Sequence, residues 1–433
     1  MGSESRLVDL CEEVVDCAHS TPRWTDFGAT VLRSHNIRDG RLDLSNRSFT
    51  DEAHFRDRIR RAQPREGDLV ITREAPMGEV AMIPAGLRCC LGQRMVLLRP
   101  DVTKVDPRYL LYALQSPQLQ HEIGLNDGTG STVSNLRIPL LENLPIPTPP
   151  LSEQRRIAST LGALDDKIEL NRRMSQTLES MARALFKSWF VEFDPVRAKA
   201  EGRDPELPEP LDGLFPSVFS ESPAGRIPSG WRVEALGTQV TVERGVSYGG
   251  AGLGAGEMPM HNLNSIYEGG GYKDAGIKFY AGEHRPQHVT QPGDLIVANT
   301  EQGHHRLLIG YAAIVPNRYP TGLFSHHLYR VRPDHGSPLT SEFLLWLLNS
   351  DVMHETVSGY ANGTTVNMLP AAGLQRPMIC MPPEPLIQAF TAFCRHVMTR
   401  SETALDGGIA NVALRDQLLP SLISGRYVGD PDA

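Results

Sequence analysis

The sequence of 433 residues lacks the features that mark membrane, secreted and disulfide-stabilised proteins. No apolar stretch reaches the roughly 18 residues of a membrane-spanning helix, and the segment 1–6 has no apolar core of a signal peptide. The six cysteines include no Cys-x-x-Cys pair, so we expect reduced, buried thiols rather than a metal site or disulfides. These absences predict a cytoplasmic protein.

Sequence motifs of common catalytic classes are also missing. There is no Gly-x-x-x-x-Gly-Lys-Ser/Thr loop for nucleotide phosphates, no Gly-x-Ser-x-Gly elbow and no Asn/Asp-Pro-Pro-Tyr/Phe sequence of the amino-methyltransferases. The Gly-dense segment 249–256 lacks a following Lys-Ser/Thr, which favours a flexible surface loop over a phosphate site. The pairs 304–305 and 326–327 (His-His) suggest metal ligands, but neighbours on a strand point to opposite faces. We therefore predict a non-catalytic chain without a metal.

The net charge of −8 at pH 7 does not by itself favour nucleic acid as a partner. Overall charge is a weak test, however, because a basic face can coexist with an acidic surface for another partner. Basic residues cluster locally between Arg56 and Arg61, where a solvated helix face is an equal alternative. The chain length predicts two to four domains.

Two segments of the first half recur in the second half at a constant spacing. The segments 35–37 (His-Asn-Ile) and 67–71 (Gly-Asp-Leu-Val-Ile) return 226 residues later as 261–263 (His-Asn-Leu) and 293–297 (Gly-Asp-Leu-Ile-Val). Later matches are 233 residues apart, which a small insertion explains. Repeats this long are whole domains rather than solenoid units. A duplicated domain has the geometry of a reader of two-part sites.

A long helix is predicted after the proline-rich segment 144–150, with Ser152 as its N-cap. Apolar residues from Ile157 to Trp189 follow steps of four and three, which is a heptad pattern. No glycine or proline occurs between Ala163 and Asp194. A helix of about 40 residues is roughly 60 Å long, so we expect a second long helix beside it.

The second helix follows a similar proline closure and begins near Pro385. We expect Gly407-Gly408 to break or bend it and Pro420 to end it. The two helices would pair antiparallel, with a globular domain at each end of the rod. The predicted fold is α+β, with domains at 1–150 and 231–383, helices at 151–194 and 384–425, a connector at 195–230 and a tail at 426–433.

Loops that follow the predicted strands carry side chains suited to DNA. Arg, Asn, Gln and His read base edges in the major groove, and small-hydroxyl turns suit phosphate oxygens; structural turns are the alternative. The DNA-binding candidates are His35, Asn36, Arg38, Thr72, Arg73, Arg94, Ser131, Thr132, Asn135, His261, Asn262, Asn264, Asn299, Thr300, Gln302, His326, Thr364, Thr365 and Asn367.

Several segments resemble the specificity subunit of type I restriction–modification systems. The segments 149–158 (Pro-Pro-Leu-Ser-Glu-Gln-Arg-Arg-Ile-Ala) and 185–193 (Leu-Phe-Lys-Ser-Trp-Phe-Val-Glu-Phe) resemble its central conserved region. The segment 417–425 (Gln-Leu-Leu-Pro-Ser-Leu-Ile-Ser-Gly) resembles its distal conserved region, and 67–71 looks like part of its target recognition domains. The resemblance covers almost the whole chain. The second proline-rich segment, 381–388, departs from this resemblance because it lacks the expected Ser-Glu-Gln.

This resemblance implies a subunit without an active site, whose two target recognition domains each read half of a bipartite double-stranded DNA sequence. It implies two methyltransferase subunits docked on the helices and restriction subunits in the larger complex. S-adenosylmethionine, ATP and Mg are then expected on those partners, with no cofactor in this chain. The helix residues expected to face partners are Arg155, Ile157, Leu178, Leu185, Phe186, Trp189 and Phe190.

Two other classes of function remain as alternatives at this point. The chain could be a scaffold that joins two partner proteins and never touches bases, or an enzyme with an unrecognised site. The scaffold predicts no DNA footprint even when methyltransferase is present. The enzyme predicts turnover by the purified chain alone.

Overall fold

The computed structural model describes residues 3–125, 135–248, 252–303, 305–363 and 366–425. Two compact units divide the chain, the first being Met1–Arg172 with Asp406–Ala433 and the second Arg173–Leu405. We call residues 3–150 the first domain and residues 231–383 the second domain. Among the described residues, no helix has the length and apolar character needed to cross a membrane.

The first unit combines short strands with helices. Its strands are β1 (Glu4–Arg6), β2 (Cys11–Asp16), β3 (Trp24–Thr25), β4 (Ala29–Leu32), β5 (Ile37–Arg38), β6 (Arg41–Leu42), β7 (Ser48–Thr50), β8 (Leu69–Thr72), β9 (Val80–Met82), β10 (Cys89–Leu91), β11 (Met95–Pro100) and β12 (Pro145–Pro147). Its helices are α1 (Glu52–Arg58), α2 (Pro107–Gln115), α3 (Pro117–Leu125) and α4 (Ile138–Glu142), and the long helix α5 (Leu151–Phe186) begins here.

Two four-stranded sheets form the body of the first domain. One has the order β2-β11-β8-β9 and is antiparallel. The other has the order β10-β4-β7-β3, with β10 parallel to β4. Every residue of β8 and β11 is buried, as expected for the continuous apolar runs that the sequence shows there. Helix α2 packs its buried face, including Tyr109 and Leu110, into the same core.

The second unit contains a second set of strands and helices. Its strands are β13 (Phe219–Ser222), β14 (Gly225–Pro228), β15 (Arg232–Ala235), β16 (Val240–Arg244), β17 (Leu253–His261), β18 (Lys278–Tyr280), β19 (Val289–Thr290), β20 (Leu295–Ala298), β21 (Thr300–Gln302), β22 (Ala312–Ile314), β23 (Gly322–Phe324), β24 (Leu328–Pro333), β25 (Val366–Met368) and β26 (Met378–Met381). Its helices are α6 (Asp194–Ala200), α7 (Ser341–Leu348), α8 (Asp351–Ser358), α9 (Ala372–Gln375) and α10 (Glu384–Ser424), of which α10 continues into the first unit.

The second domain repeats the sheets of the first. Its antiparallel sheet has the order β16-β24-β20-β22, and its other sheet has the order β18-β17-β23-β19 with one parallel pair. The repeated Gly-Asp segments occupy the same place, because Gly67 donates to the Ile83 carbonyl at 3.1 Å and Gly293 to the Val315 carbonyl at 2.9 Å. Both glycines have a positive φ, of 85° and 87°. The duplication read from the sequence is therefore present in the fold.

The His-Asn match, in contrast, does not mark equivalent positions. The strands β11 and β24 correspond to each other in the two antiparallel sheets. Gly92 lies three residues before the start of β11, and Ser325 lies three residues before the start of β24. Gly92 donates to the Leu32 carbonyl at 2.7 Å, whereas Ser325 donates to the His261 carbonyl at 2.9 Å. His261 thus takes the place of Leu32 at the end of a strand, while His35 lies exposed in the following 3-10 turn.

The long helices run antiparallel within each unit. In the first unit, Asp165 of α5 accepts a hydrogen bond from Arg415 of α10 at 3.0 Å, and a side chain at Gly407 would approach Asn171. In the second unit, the Ser175 hydroxyl lies 3.4 Å from the Ser401 carbonyl. The predicted antiparallel pair of helices is present in both.

Helix α10 does not break at its glycines or end at its proline, and these two predictions are wrong. It runs without interruption from Glu384 to Ser424 and contains Gly407, Gly408 and Pro420. Buried residues on either side, such as Ala404 and Leu419, hold the helix by packing. Tertiary contacts therefore outweigh the weak helix propensity of two glycines.

An aromatic core covers the residues at the end of α5. Phe186, Trp189 and Phe190 are only 2%, 6% and 8% exposed, and their rings contact Phe343 and Phe390 of the same unit. The expectation that they are exposed for partners is therefore wrong. Part of this cover comes from segment 195–230, which contributes Val196, Phe215 and Ile227 to the core.

The remaining helix residues expected to face partners divide by exposure. Ile157 is buried in the core of the first unit, and Leu178 and Leu185 pack against the core of the second. Arg155 is exposed. Of the seven residues, only Arg155 has an exposed side chain.

Candidate nucleic-acid interface

In the first domain, the residue after β8 is held from both sides by backbone hydrogen bonds. The Arg73 N–H donates to the Arg94 carbonyl at 2.8 Å, and the Arg73 carbonyl accepts from the Leu136 N–H at 3.0 Å. These bonds bring together the end of β8, the turn before β11 and the segment that begins at Asn135. We call this the first-domain site.

The charged side chains of the first-domain site are paired with one another. Arg73 donates to an Asp16 carboxylate oxygen at 3.0 Å and to the Asn135 side-chain oxygen at 3.2 Å. Arg94, which is largely exposed at the rim and has a φ of 66°, lies 3.1 Å from the Glu74 carboxylate. Arg73 therefore orders the site from within, and Arg94 is the more accessible cation.

Two aromatic side chains of the first domain are exposed, and the sequence interpretation missed them. Trp24 is 46% and Phe27 83% exposed, and the Arg33 guanidinium lies 5.2 Å from the Trp24 ring centroid. Gly28 has a φ of 138°, and a Cβ there would lie 2.3 Å from the Thr50 carbonyl oxygen, so the turn that carries Phe27 requires glycine. The available signal was two aromatic residues within a short polar stretch.

The second domain builds the same backbone arrangement from different residues. The Asn299 N–H donates to the His327 carbonyl at 3.0 Å, and the Asn299 carbonyl accepts from the Leu369 N–H at 2.8 Å. The Asn299 side chain donates to the His326 carbonyl at 3.1 Å, as does Arg244 at 3.2 Å. We call this the second-domain site.

The two histidines of the second-domain site lie side by side. Their ring centroids are 3.9 Å apart, and the His326 ring is 5.4 Å from that of Tyr248. The His327 Nδ1 and the Thr300 hydroxyl are 2.9 Å apart. Since the pair occupies the turn before β24 and not a strand, the prediction that the two side chains point apart is wrong. No group of three or more potential metal ligands occurs among the described residues.

Several predicted DNA-binding residues are buried and support turns instead. The Asn36 amide donates to the carbonyls of Asp43 and Asn46, and the Asn262 side chain caps the 3-10 turn that follows it. His261 is completely buried 2.9 Å from the Tyr272 hydroxyl, and this burial lowers its pKa to about 4. A side chain enclosed in this way does not reach a ligand without rearrangement. The buried members of the predicted set are Asn36, Thr72, His261, Asn262, Asn299 and Thr300.

The other predicted residues are accessible to different degrees or fall outside the described ranges. His35, Arg38, Arg94, Asn264 and Gln302 are exposed. The half-buried ones are Arg73, Asn135, His326 and Asn367. The hydroxyl residues Ser131, Thr132, Thr364 and Thr365 lie outside the described residues, so their predicted role stays a prediction.

Comparison with known proteins finds relatives of one kind. The model described as type I restriction modification DNA specificity domain matches residues 44–180. The type I restriction enzyme MjaIX specificity subunit of Methanocaldococcus jannaschii is 24% identical over 372 residues, which are 83% of this chain and 77% of that protein. The HindI specificity subunit of Haemophilus influenzae is 37% identical over 109 residues, or 25% of this chain and 24% of that protein.

The fold agrees over nearly the whole chain. A crystal structure of the type I restriction–modification system S subunit from M. genitalium matches with a TM-score of 0.58 and covers 98% of this chain and 96% of that one. Its sequence identity of 15% means that this likeness speaks for the fold alone. In sequence and in fold, the chain is similar to type I restriction–modification specificity subunits.

In each globular domain, the aspartate of the repeated Gly-Asp segment forms an ion pair with an arginine of the neighbouring strand. Asp68 accepts from two nitrogens of Arg99 at 3.0 and 2.9 Å, and Asp294 accepts from two nitrogens of Arg332 at 2.6 and 2.8 Å. These residues stand in corresponding positions of the two sheets. The repeated Gly-Asp segment is thus a structural element of the domain rather than a DNA contact.

Proposed function

We propose that this chain is the DNA sequence-specificity subunit of a type I restriction–modification complex and that it binds a bipartite double-stranded target. The first target recognition domain reads one half-site and the second reads the other. Base methylation at adenine and restriction are carried out by partner subunits. The chain itself supplies recognition and no catalytic group.

One observation carries this proposal: the same backbone arrangement occurs once in each domain but displays different side chains. Arg73 and Arg94 mark the site in the first domain, and Asn299 and His327 mark it in the second. A common scaffold with different side chains is suited to two different half-sites, because base edges are distinguished by hydrogen-bonding side chains. Similarity to type I specificity subunits supports the same role.

The long helices are proposed to set the gap between the half-sites and to dock two methyltransferase subunits. Helix α5 has 36 residues, or about 54 Å at ~1.5 Å per residue. Half-sites on one face of B-DNA recur about every 34–36 Å, so a helix of this length covers more than one turn. Arg155 is a solvent-exposed residue of α5 for such docking. S-adenosylmethionine, ATP and Mg are proposed to bind the partner subunits.

Methylation mapping tests the role directly. The genome of the source organism is compared with and without this gene, and with the gene restored. We expect N6-methyladenine to disappear from one split motif on deletion and to return on restoration. Unchanged methylation, in a strain whose methyltransferase subunit is expressed, would refute the proposal and favour a scaffold that does not contact bases.

The spacing role has its own test. One heptad is inserted into α5 and one at the facing level of α10, so that their antiparallel pairing is kept. The mapped motif should then keep both half-sites and tolerate a longer gap. A shorter change of three residues in each helix serves as the control for disturbed pairing. An unchanged gap in an active heptad variant would refute the ruler but leave the recognition role intact.

A further inference from the structure

The second-domain site contains an arginine without a carboxylate partner among the described residues, next to two histidines. Arg244 is exposed, donates to the His326 carbonyl at 3.2 Å, and forms no ion pair with any described residue. The rings of His326 and His327 lie 3.9 Å apart beside it. Other arginines of this domain, such as Arg318 and Arg332, have aspartate partners at 2.7 and 2.6 Å. The imbalance is therefore local to this site.

The corresponding place in the first domain is neutral by comparison. In the antiparallel ladders, Asp16 lies opposite Val96, and Arg244 lies opposite Tyr329 at the matching position of the second domain. An acid of one domain is thus replaced by a base in the other. Because Asp16 is paired with Arg73 in the first-domain site, that site has no comparable excess of positive charge.

Two buried polar atoms of the second-domain site also lack hydrogen-bond partners. Asn299 is 2% exposed, and among the described residues neither its Oδ1 nor the Nδ1 of His326 has a hydrogen-bond partner. Buried polar atoms are nearly always satisfied by protein, water or ligand. Two such atoms next to an arginine without an ion pair and two neighbouring histidines are a feature of a binding site rather than of a finished core.

We propose that Arg244, His326 and His327 form a phosphate-binding site of the second target recognition domain, which holds the DNA backbone through imidazolium and guanidinium groups. This inference rests on the proposed DNA-binding function and adds to it an asymmetry between the domains. DNA contact by the second domain depends on protonation, whereas contact at the corresponding site of the first domain, made by arginines, does not. The partner is the DNA backbone, since phosphate is the anion that a double-stranded target presents.

The direction of the pH effect follows from the surroundings of the pair. Burial lowers the pKa of His327, and the neighbouring His326 and Arg244 lower it further. No carboxylate of the described chain contributes to that pKa, and the facing groups are Tyr248 and the Thr300 hydroxyl. A bound phosphate favours the charged imidazole, so the complex takes up protons as it forms. Affinity is therefore higher below the pKa of the free site and falls as pH rises through the pKa of the complex.

The test measures DNA affinity of the full chain with its methyltransferase subunits, using a 40-base-pair duplex that bears the mapped split motif. Between pH 8 and pH 5 we expect wild-type Kd to fall by up to about tenfold, the limit for one group whose pKa rises by about one unit on binding. The double variant His326→Gln/His327→Gln should change less than about twofold. His335→Gln, an exposed histidine of the same domain, is the matched control and should behave as wild type.

Salt dependence provides a second, independent readout. Loss of one phosphate contact in Arg244→Gln should reduce the slope of log K against log salt by about 0.9, while Arg244→Lys should keep it. Since Arg244 is exposed, this variant does not disturb the core. A double histidine variant that binds with the wild-type pH profile, or an unchanged salt slope in Arg244→Gln, would overturn this inference alone. Failure of the wild-type complex to bind the duplex at any pH would instead overturn the proposed function.

Discussion

The continuity of α10 through Gly407 and Gly408 leads to a quantitative prediction. Both residues are helical, although local propensity favours a break. A Cβ added at Gly408 would meet no heavy atom within 4 Å, whereas one at Gly407 would lie 3.3 Å from the Asn171 amide nitrogen. Gly408→Ala therefore gains helix propensity without a steric cost, and Gly407→Ala gains less because Asn171 must move.

The size of the effect follows from the helix scale. Replacing an interior helical glycine with alanine contributes about 1 kcal/mol. In a unit of this size, 1 kcal/mol raises the unfolding temperature by about 2–4 °C. Gly408→Ala should show this full increase, and Gly407→Ala a smaller one.

Scanning calorimetry and circular dichroism on the full chain measure the change. Gly28→Ala, in the same unit, carries the same substitution at a φ of 138° with a Cβ 2.3 Å from the Thr50 carbonyl oxygen. It should lower the transition of that unit and so identify it. If Gly408→Ala leaves this transition unchanged or lowers it, while Gly28→Ala lowers it, then α10 is not a continuous helix and the reasoning is refuted.

Three further predictions concern buried groups. Asp68→Asn should destabilise the first unit by about 3 kcal/mol in urea unfolding, because Arg99 loses a buried partner. As the control, Asp57→Asn removes one partner of an exposed pair and should cost under about 0.5 kcal/mol. Phe190→Ala should destabilise the second unit by about 3–5 kcal/mol, yet binding of methyltransferase per folded molecule should not change, since the ring is covered by its own chain. Folding favours the neutral form of His261, because burial lowers its pKa to about 4. The free energy of unfolding should therefore fall as pH drops from about 6.5 towards the folded pKa of about 4. His261→Gln should reduce that fall, and an unaltered pH profile in this variant would contradict the prediction.

The elements that the sequence predicted correctly are those with strong local signals. The strand after Gly67 is a continuous apolar run, and the structure buries every residue of β8. The helix after the prolines at 149–150 begins at Leu151, as proline chemistry indicates. The prediction that Ser152 is its N-cap is wrong, because Ser152 lies inside the helix and the Pro150 carbonyl accepts from the Gln154 N–H at 3.0 Å. Repetition of such signals identified the duplicated domain. These features depend on neighbours in sequence, which a single chain displays.

Predictions that depended on distant contacts failed. Trp189 and Phe190 form an apolar surface on an isolated helix, but Phe215 and Trp231 cover them in the folded unit. The apparent repeat of His35 at His261 is a chance match, since backbone pairing places His261 where the first domain has Leu32. Neither result can be read from periodicity, because each is set by packing between remote segments.

In the candidate site, too, the residues that local sequence identified differ from those that only distant contacts bring there. Asn299 and His326 were singled out because of their residue types, but Arg244 was not, since it lies 82 residues before His326 and joins it only through pairing of β16 with β24. Sequence by itself determined the resemblance to specificity subunits, the duplication, the buried strands and the long helices, all of which rest on local pattern. Tertiary structure alone decided which polar side chains are enclosed, which charges remain unpaired and how the histidines face each other, because these depend on the free energy of contacts between distant segments.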